Sequence, residues 1–278
     1  MTLRVLDLFS GIGGFSLGLE RAGMQTVAFC EIDPFCRKVL AKRWPNVPQH
    51  DDITTREFIK GEADVICGGF PCQDISLAGK RAGTRSGLYR ELIRAIRVVR
   101  PKFAVLENVA ALLSNGMGNV LGDLAEIGAD AEWHCIPASA VGAPHRRDRV
   151  WIIADTRGEQ YKGDRTPFSG ALAKELSGTA TDAAFMFGAE VIGNESDGAS
   201  YCGQEMATPE GWRLEEFKPY GRGTWGSCGE SWWSTEPDVG RMAYGIPSRV
   251  DRLRTLGNTV VSQIPELIGR AILQAEAA

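Results

Sequence analysis

At 278 residues the chain exceeds one average domain, and 44% hydrophobic with 24% charged residues is an ordinary globular composition with ample material for a large core. Seven cysteines without a CxxC spacing and three scattered histidines argue against a disulfide framework or a metal site, and fit reduced thiols in a cytosol. The net charge of −4 argues mildly against a nucleic-acid partner, but its distribution argues the other way: eight basic residues lie from Lys80 to Lys102 against one acid, Glu91.

The opening residues "MTLRVLDLF" lack the charged start, longer apolar stretch and cleavage site of a secretory signal. No apolar run approaches the ~18 residues that span a bilayer, so a soluble, cytoplasmic chain is expected. "RVLDLF" is a short apolar strand, and "GGFSLGLERAG" opens a helix that ends at Gly23. "TVAFCE" is a second strand, followed by a helix over "DPFCRKVLAKRW" with Pro34 at its first position. "DVIC", "KFAVLEN" and "RVWIIAD" repeat the strand pattern, with helices over "LYRELIRAIRVV" and roughly 117–127 between them. Continuous apolar strands alternating with helices predict an α/β fold, a doubly wound, mostly parallel sheet with helices on both faces.

After Asp155 the texture changes. Residues 156–235 are rich in Gly, Ser, Thr and Asp with scattered aromatics such as Trp212 and Trp225, which predicts a small, loop-rich second domain. Regular patterning returns from 236, and the last helix carries Ile264, Leu267, Ile268, Ala271 and Ile272 at 3-4 spacing. That stripe is expected to dock back onto the first domain. The expected division is therefore 1–155 with 236–278 as one domain, and 156–235 as the other.

"LDLFSGIGGFSLGLE" reads as a strand, a glycine turn and a helix start. Gly11 and Gly13 let a ligand approach the backbone and the helix N-terminus. Glu31 ends the second strand, 20 residues after Gly11, where a doubly wound sheet puts the carboxylate that binds a ribose diol. Asp52 ends the third strand region and could accept from an adenine amino group. A dinucleotide fingerprint would want glycine where Ser16 stands, which disfavours NAD. Cys72, in "GGFPCQDIS", follows two glycines and a proline that cannot continue a strand, a place suited to a thiol meant to be reached. Cys67, at the end of the apolar run, reads as structural.

The chain resembles the C5-cytosine DNA methyltransferases, which use S-adenosylmethionine. The resemblance rests on "DLFSGIGGFSLGLE", Glu31, Asp52, "GGFPCQDIS", "ENV" at 107–109, "HRRDR" at 145–149 and "LGNTVV" at 256–261, in family order over about two thirds of the chain. It implies a Rossmann-like methyltransferase fold and transfer of methyl to C5 of a cytosine flipped out of double-stranded DNA. Cys72 would add to C6 as thiolate, Glu107 would hold or protonate N3, Arg149 would bind O2, and Arg147 would steady the same pocket and the phosphate. The implied cofactor pocket comprises Phe9, Ser10, Gly11, Gly13, Glu31, Ile32, Asp52, Ile53, Pro71 and Asn258, leaving S-adenosylhomocysteine as product and needing no metal. Lys80, Arg81 and Arg85 would contact phosphates from a closing loop, and 156–235 would read the target sequence. A monomer is expected, and a paired restriction endonuclease would fit.

Three departures stand out. His145 replaces the family's usual glutamine, Ser262 stands where many relatives have proline, and 156–235 matches no recognition pattern. Rival readings are a C5-cytosine methyltransferase acting on transfer RNA, an NAD-dependent oxidoreductase, and a non-catalytic DNA-binding relative.

Overall fold

A computed structural model describes residues 2–71, 87–114, 116–143, 145–157, 172 and 249–277. Seven strands form one sheet: β1 (Arg4–Leu8), β2 (Gln25–Cys30), β3 (Gln49–His50), β4 (Val65–Gly69), β5 (Phe103–Val109), β6 (Asp130–Pro137) and β7 (Asp148–Asp155). Their order is β3-β2-β1-β4-β5-β7-β6, with β1 central to the parallel part. β1, β2, β3, β4 and β5 pair in parallel, whereas β7 runs antiparallel to both β5 and β6. The sheet is thus mostly parallel, as its apolar runs predict, with one reversed strand that they do not reveal.

The helices follow local chemistry. α1 (Gly14–Ala22) ends on Gly23, whose φ of 109° suits a residue without Cβ. α2 (Pro34–Arg43) has Pro34 at its start and Asp33 as N-cap, accepting from the amides of Phe35 and Cys36. α3 (Leu88–Val99) and α4 (Met117–Glu126) follow. Beyond the described part of the middle segment come α5 (Arg249–Asn258) and α6 (Gln263–Ala277).

Strand alternation sorts the core into two layers. Leu6, Leu8, Ile66, Ala104 and Leu106 face the side of Leu92 and Ile96 in α3 and Val120 and Leu124 in α4. Val5, Val65, Cys67, Phe103 and Val105 face the side of Leu19 in α1 and Ile264, Ile268 and Ile272 in α6; Leu172 is buried in this same layer. The stripe on α6 docks where the 3-4 spacing points it. A glycine seam permits the close approach: a Cβ on Gly18 would lie 2.2 Å from the Ser262 carbonyl oxygen, and one on Gly269 would lie 2.8 Å from Ala22 Cβ. Ser262, where many relatives have proline, therefore sits at a packed backbone contact.

The segment expected as a second domain, 156–235, falls outside the described residues except for 156, 157 and Leu172. So do Cys72, Lys80, Arg81 and Arg85. Among the described residues no helix is long and apolar enough to cross a membrane, and no group of three or more His, Cys, Asp or Glu could hold a metal ion.

Candidate active site

The carboxyl edge of the parallel strands carries the site. β1 is followed by Phe9 at φ 55°, Ser10, and Gly11, itself at φ 55°. A Cβ on Gly11 would meet nothing within 4 Å, so this turn faces open space. Gly13 differs: at φ 86°, a Cβ there would strike the Trp44 ring at 2.5 Å. Gly11 opens the cleft, and Gly13 lets the turn pack on α2. Ser10 is buried and works inward, its Oγ donating to the Asp7 carbonyl at 2.7 Å.

Glu31 takes the turn's free amides. Its Oε2 accepts from Gly11 N at 2.7 Å and its Oε1 from Asp33 N at 2.8 Å. Each oxygen keeps a lone pair for a further donor. Ile32, next to it, is 72% exposed, an apolar side chain offered to a flat ligand ring. Asp52 accepts from Thr54 N and Oγ1 through Oδ1, and those bonds lower its pKa. Ile53 is a core residue, with its carbonyl taken by Arg94.

Across the cleft stands Glu107, at the end of β5 and mostly buried. Burial raises its pKa, opposed by the guanidinium charges of Arg149 and Arg147. Arg149 Nε lies 2.9 Å from Glu107 Oε1. Arg149 precedes the apolar run of β7, and in a parallel strand that would be the wrong end of the sheet. The antiparallel run of β7 pairs Arg149 with Val109 and so brings it to the carboxyl edge.

Arg147 also acts on Glu107 through its charge, and it is tied to a further loop. At φ 42°, its guanidinium donates to the carbonyls of Gly257 at 2.7 Å and Thr259 at 3.0 Å. Asn258, Thr259 and Val260 line one cleft with Phe9, Gly11, Gly69 and Glu107. The glycine turn and the Glu107 carboxylate thus line the same space.

Several contributors escape sequence reasoning. Asn108 is buried, donating from Nδ2 to the Phe70 carbonyl at 3.0 Å and accepting from Val109 N at 2.9 Å. It pins the β4 end one residue before Pro71, the last described residue ahead of Cys72. Gly69 pairs with Glu107, and a Cβ there would lie 2.8 Å from Glu107 Oε2. Asp7 is fully buried, accepts from Ser16 Oγ at 2.7 Å, and has its pKa raised to about 7 chiefly by burial. Ser16, the residue that breaks the dinucleotide fingerprint, is thus the donor to an acid inside the sheet.

The described cysteines contrast with the exposed thiol the sequence asks for at 72. Cys30, Cys36 and Cys67 are buried, and burial pushes their thiols up, to about 11 for Cys30 and about 12 for Cys36. Such thiols are inert. The basic run is not uniform either. Arg94 ion-pairs with Glu91 and stacks on Phe58, so it belongs to the fold.

A glycine turn after the central strand, a carboxylate at the tip of the next, and a buried acid paired with arginine define a Rossmann-like α/β protein with a ligand cleft at its switch edge. The family model for C-5 cytosine-specific DNA methylase matches residues 3–184, and the chain belongs to that family. It is 37% identical over 163 residues to the type II methyltransferase M2.BsuMI of Bacillus subtilis, covering 55% of this chain and 42% of that one. It is 31% identical over 187 residues to M.AquIA of Picosynechococcus sp., covering 58% and 75%. The chain spans about half or less of the length of M2.BsuMI and of several other curated relatives. A solved structure of Spodoptera frugiperda DNMT2, a triple mutant, superposes with a TM-score of 0.50 at 21% identity, over 60% of this chain and 54% of that one, a likeness of fold.

Proposed function

We propose that this chain transfers methyl from S-adenosylmethionine to C5 of a cytosine flipped out of duplex DNA. The observation that carries this reading is the single cleft shared by the Gly11 turn and Glu107. A methyl donor on one side and a pyrimidine on the other would meet there. Membership of the family and the type II methyltransferase relatives support the choice of reaction and of DNA.

The donor set fits the cofactor. Glu31, held by two amides, has lone pairs for a ribose diol; Ile32 offers an apolar surface to adenine; Asp52 Oδ2 can accept from its amino group. The Gly11 turn and the Asn258 loop would border the amino-acid end. When bound, the cofactor supplies an electrophilic methyl on a sulfonium sulfur.

Cytosine C5 is a poor nucleophile, so the chain must raise its electron density. Cys72 adds as thiolate to C6, making the ring an enamine. Negative charge then develops at N3, where Glu107, its pKa already raised by burial, holds or donates a proton. Arg149, anchored to Glu107, would hold O2 and keep the two groups in register. After methylation a base removes the C5 proton and Cys72 is expelled. Asn108 holds the Phe70 carbonyl, two residues before Cys72 in the sequence. Lys80, Arg81 and Arg85 would contact phosphates, and 156–235 would read the sequence.

The test is transfer of labelled methyl to duplex DNA, compared with a transfer-RNA pool. Label in DNA cytosine supports the reading. Label confined to RNA, or none at all, removes it.

A further inference from the structure

We infer that Arg147 is a positioning residue for the cofactor cleft, acting through the Gly257–Val260 loop; this rests on the methyl-transfer reading above. Its guanidinium straddles Asn258, donating to the carbonyls on either side, Gly257 at 2.7 Å and Thr259 at 3.0 Å. A planar fork serves two acceptors that a lysine ammonium would reach singly.

The reason for an arginine here lies in α5. A helix leaves its last carbonyls unpaired and its C-terminus partly negative, and a cation there satisfies both. α5 has no basic residue in its own last turn. Arg147, 110 residues away in sequence, supplies the cation. Its backbone there is left-handed, at φ 42°.

The loop is held from the opposite side by the glycine turn. A Cβ on Gly14 would lie 2.7 Å from Thr259 Oγ1 and 2.9 Å from Val260 Cγ2. Arg254 of α5 also pairs with Asp33, next but one to Glu31. The cleft wall made by Asn258, Thr259 and Val260 is therefore clamped between the cofactor strands and the lead-in to β7. Arg149, two residues on, pairs with Glu107. One short stretch thus joins the target-base pocket to the cofactor wall.

The test uses the full chain without DNA. S-adenosylmethionine affinity is measured by calorimetry for the wild type, Arg147→Ala and Arg147→Lys, with amide hydrogen exchange across 257–260. Arg147→Ala should weaken cofactor binding roughly tenfold, about 1.4 kcal/mol, and speed exchange at 257–260. Arg147→Lys should lie between, and is the variant to use should the alanine form fail to fold. The effect of Arg147→Ala should also shrink in an Asn258→Ala background, because the two act in series. Unchanged cofactor affinity and unchanged exchange in Arg147→Ala, with loss of duplex binding instead, would overturn the inference and return Arg147 to the phosphate. A wild type that binds no S-adenosylmethionine would sink the methyl-transfer reading, while the exchange data would still decide whether Arg147 holds the loop.

Discussion

Gly69 and Glu107 are paired across β4 and β5, and the Glu107 carboxylate occupies the approach a side chain at 69 would need, 2.8 Å from the position of a Cβ. The clash is with the far end of a side chain, so the fold can absorb it by moving the carboxylate. Gly68 is different: a Cβ there would lie 2.5 Å from the Leu8 carbonyl oxygen, which is backbone. Gly69→Ala should lower the methyl-transfer rate roughly 10- to 100-fold by misplacing Glu107, with little change in melting temperature. Gly68→Ala should lower the melting temperature first. Rate assays beside thermal melts check both; full activity in Gly69→Ala would mean that the carboxylate position is not critical.

Asp7 makes stability depend on pH. Burial raises its pKa from 3.8 to about 7, against bonds from Ser16 that lower it. The Cys67 thiol also bonds this carboxylate and favours its anion, but burial outweighs both donors. The native state therefore holds the proton more tightly than the unfolded chain. Asp7's contribution is full below about 4 and is lost as pH rises through about 7. The change is on the order of a few kcal/mol. Urea midpoints from pH 4 to 8 should show wild type losing stability relative to Asp7→Asn as pH rises. The opposite slope would mean that Asp7 is ionised in the fold.

Most of this fold was legible because buried strands and capped helices leave local marks. Pro34 and Gly23 bound their helices where the sequence places them, and the α6 stripe packs where its spacing points it. Two features were not legible. β6 is an edge strand whose residues Asp130 to Cys135 mix charge with partial burial, leaving no clean alternation. The direction of β7 depends on its partners and not on its own composition, yet that direction brings Arg149 to Glu107. Within the site, Glu31, Gly11 and Glu107 stand at strand ends that the sequence marks. Asn108 and Gly69 act through contacts across neighbouring strands, and Asp7 through a strand-to-helix contact with Ser16, which no local spacing encodes. The hydrogen bonds of Arg147 to the Gly257 and Thr259 carbonyls, 110 and 112 residues away, leave no mark in the local sequence either.

Cys72→Ser tests the nucleophile apart from the cofactor site. Serine hydroxyl is far less ionised than thiol and cannot add readily to C6. Methyl transfer should fall below detection, while S-adenosylmethionine affinity stays within about twofold because no cofactor bond is removed. Appreciable turnover by this variant would contradict the role of Cys72.

The basic run should divide into two behaviours. Arg94 donates to the Ile53 and Arg56 carbonyls and pairs with Glu91, so Arg94→Ala should cost about 1–3 kcal/mol of stability and leave duplex affinity unchanged. Lys80→Ala, Arg81→Ala and Arg85→Ala should each reduce the salt slope of duplex binding by about 0.9. Affinity titrations from low to high salt check this; a flat profile in the wild type would mean that these cations are not on the DNA.

Trapping the covalent step tests the central claim most directly. Duplex DNA carrying 5-fluorocytosine at its target positions, incubated with the protein and S-adenosylmethionine, should yield a complex that survives denaturation, because fluorine cannot leave as the C5 proton does. Peptide mass spectrometry should then place one methylated fluorocytosine on Cys72. A denaturation-sensitive complex, or an adduct on any other residue, would contradict the account.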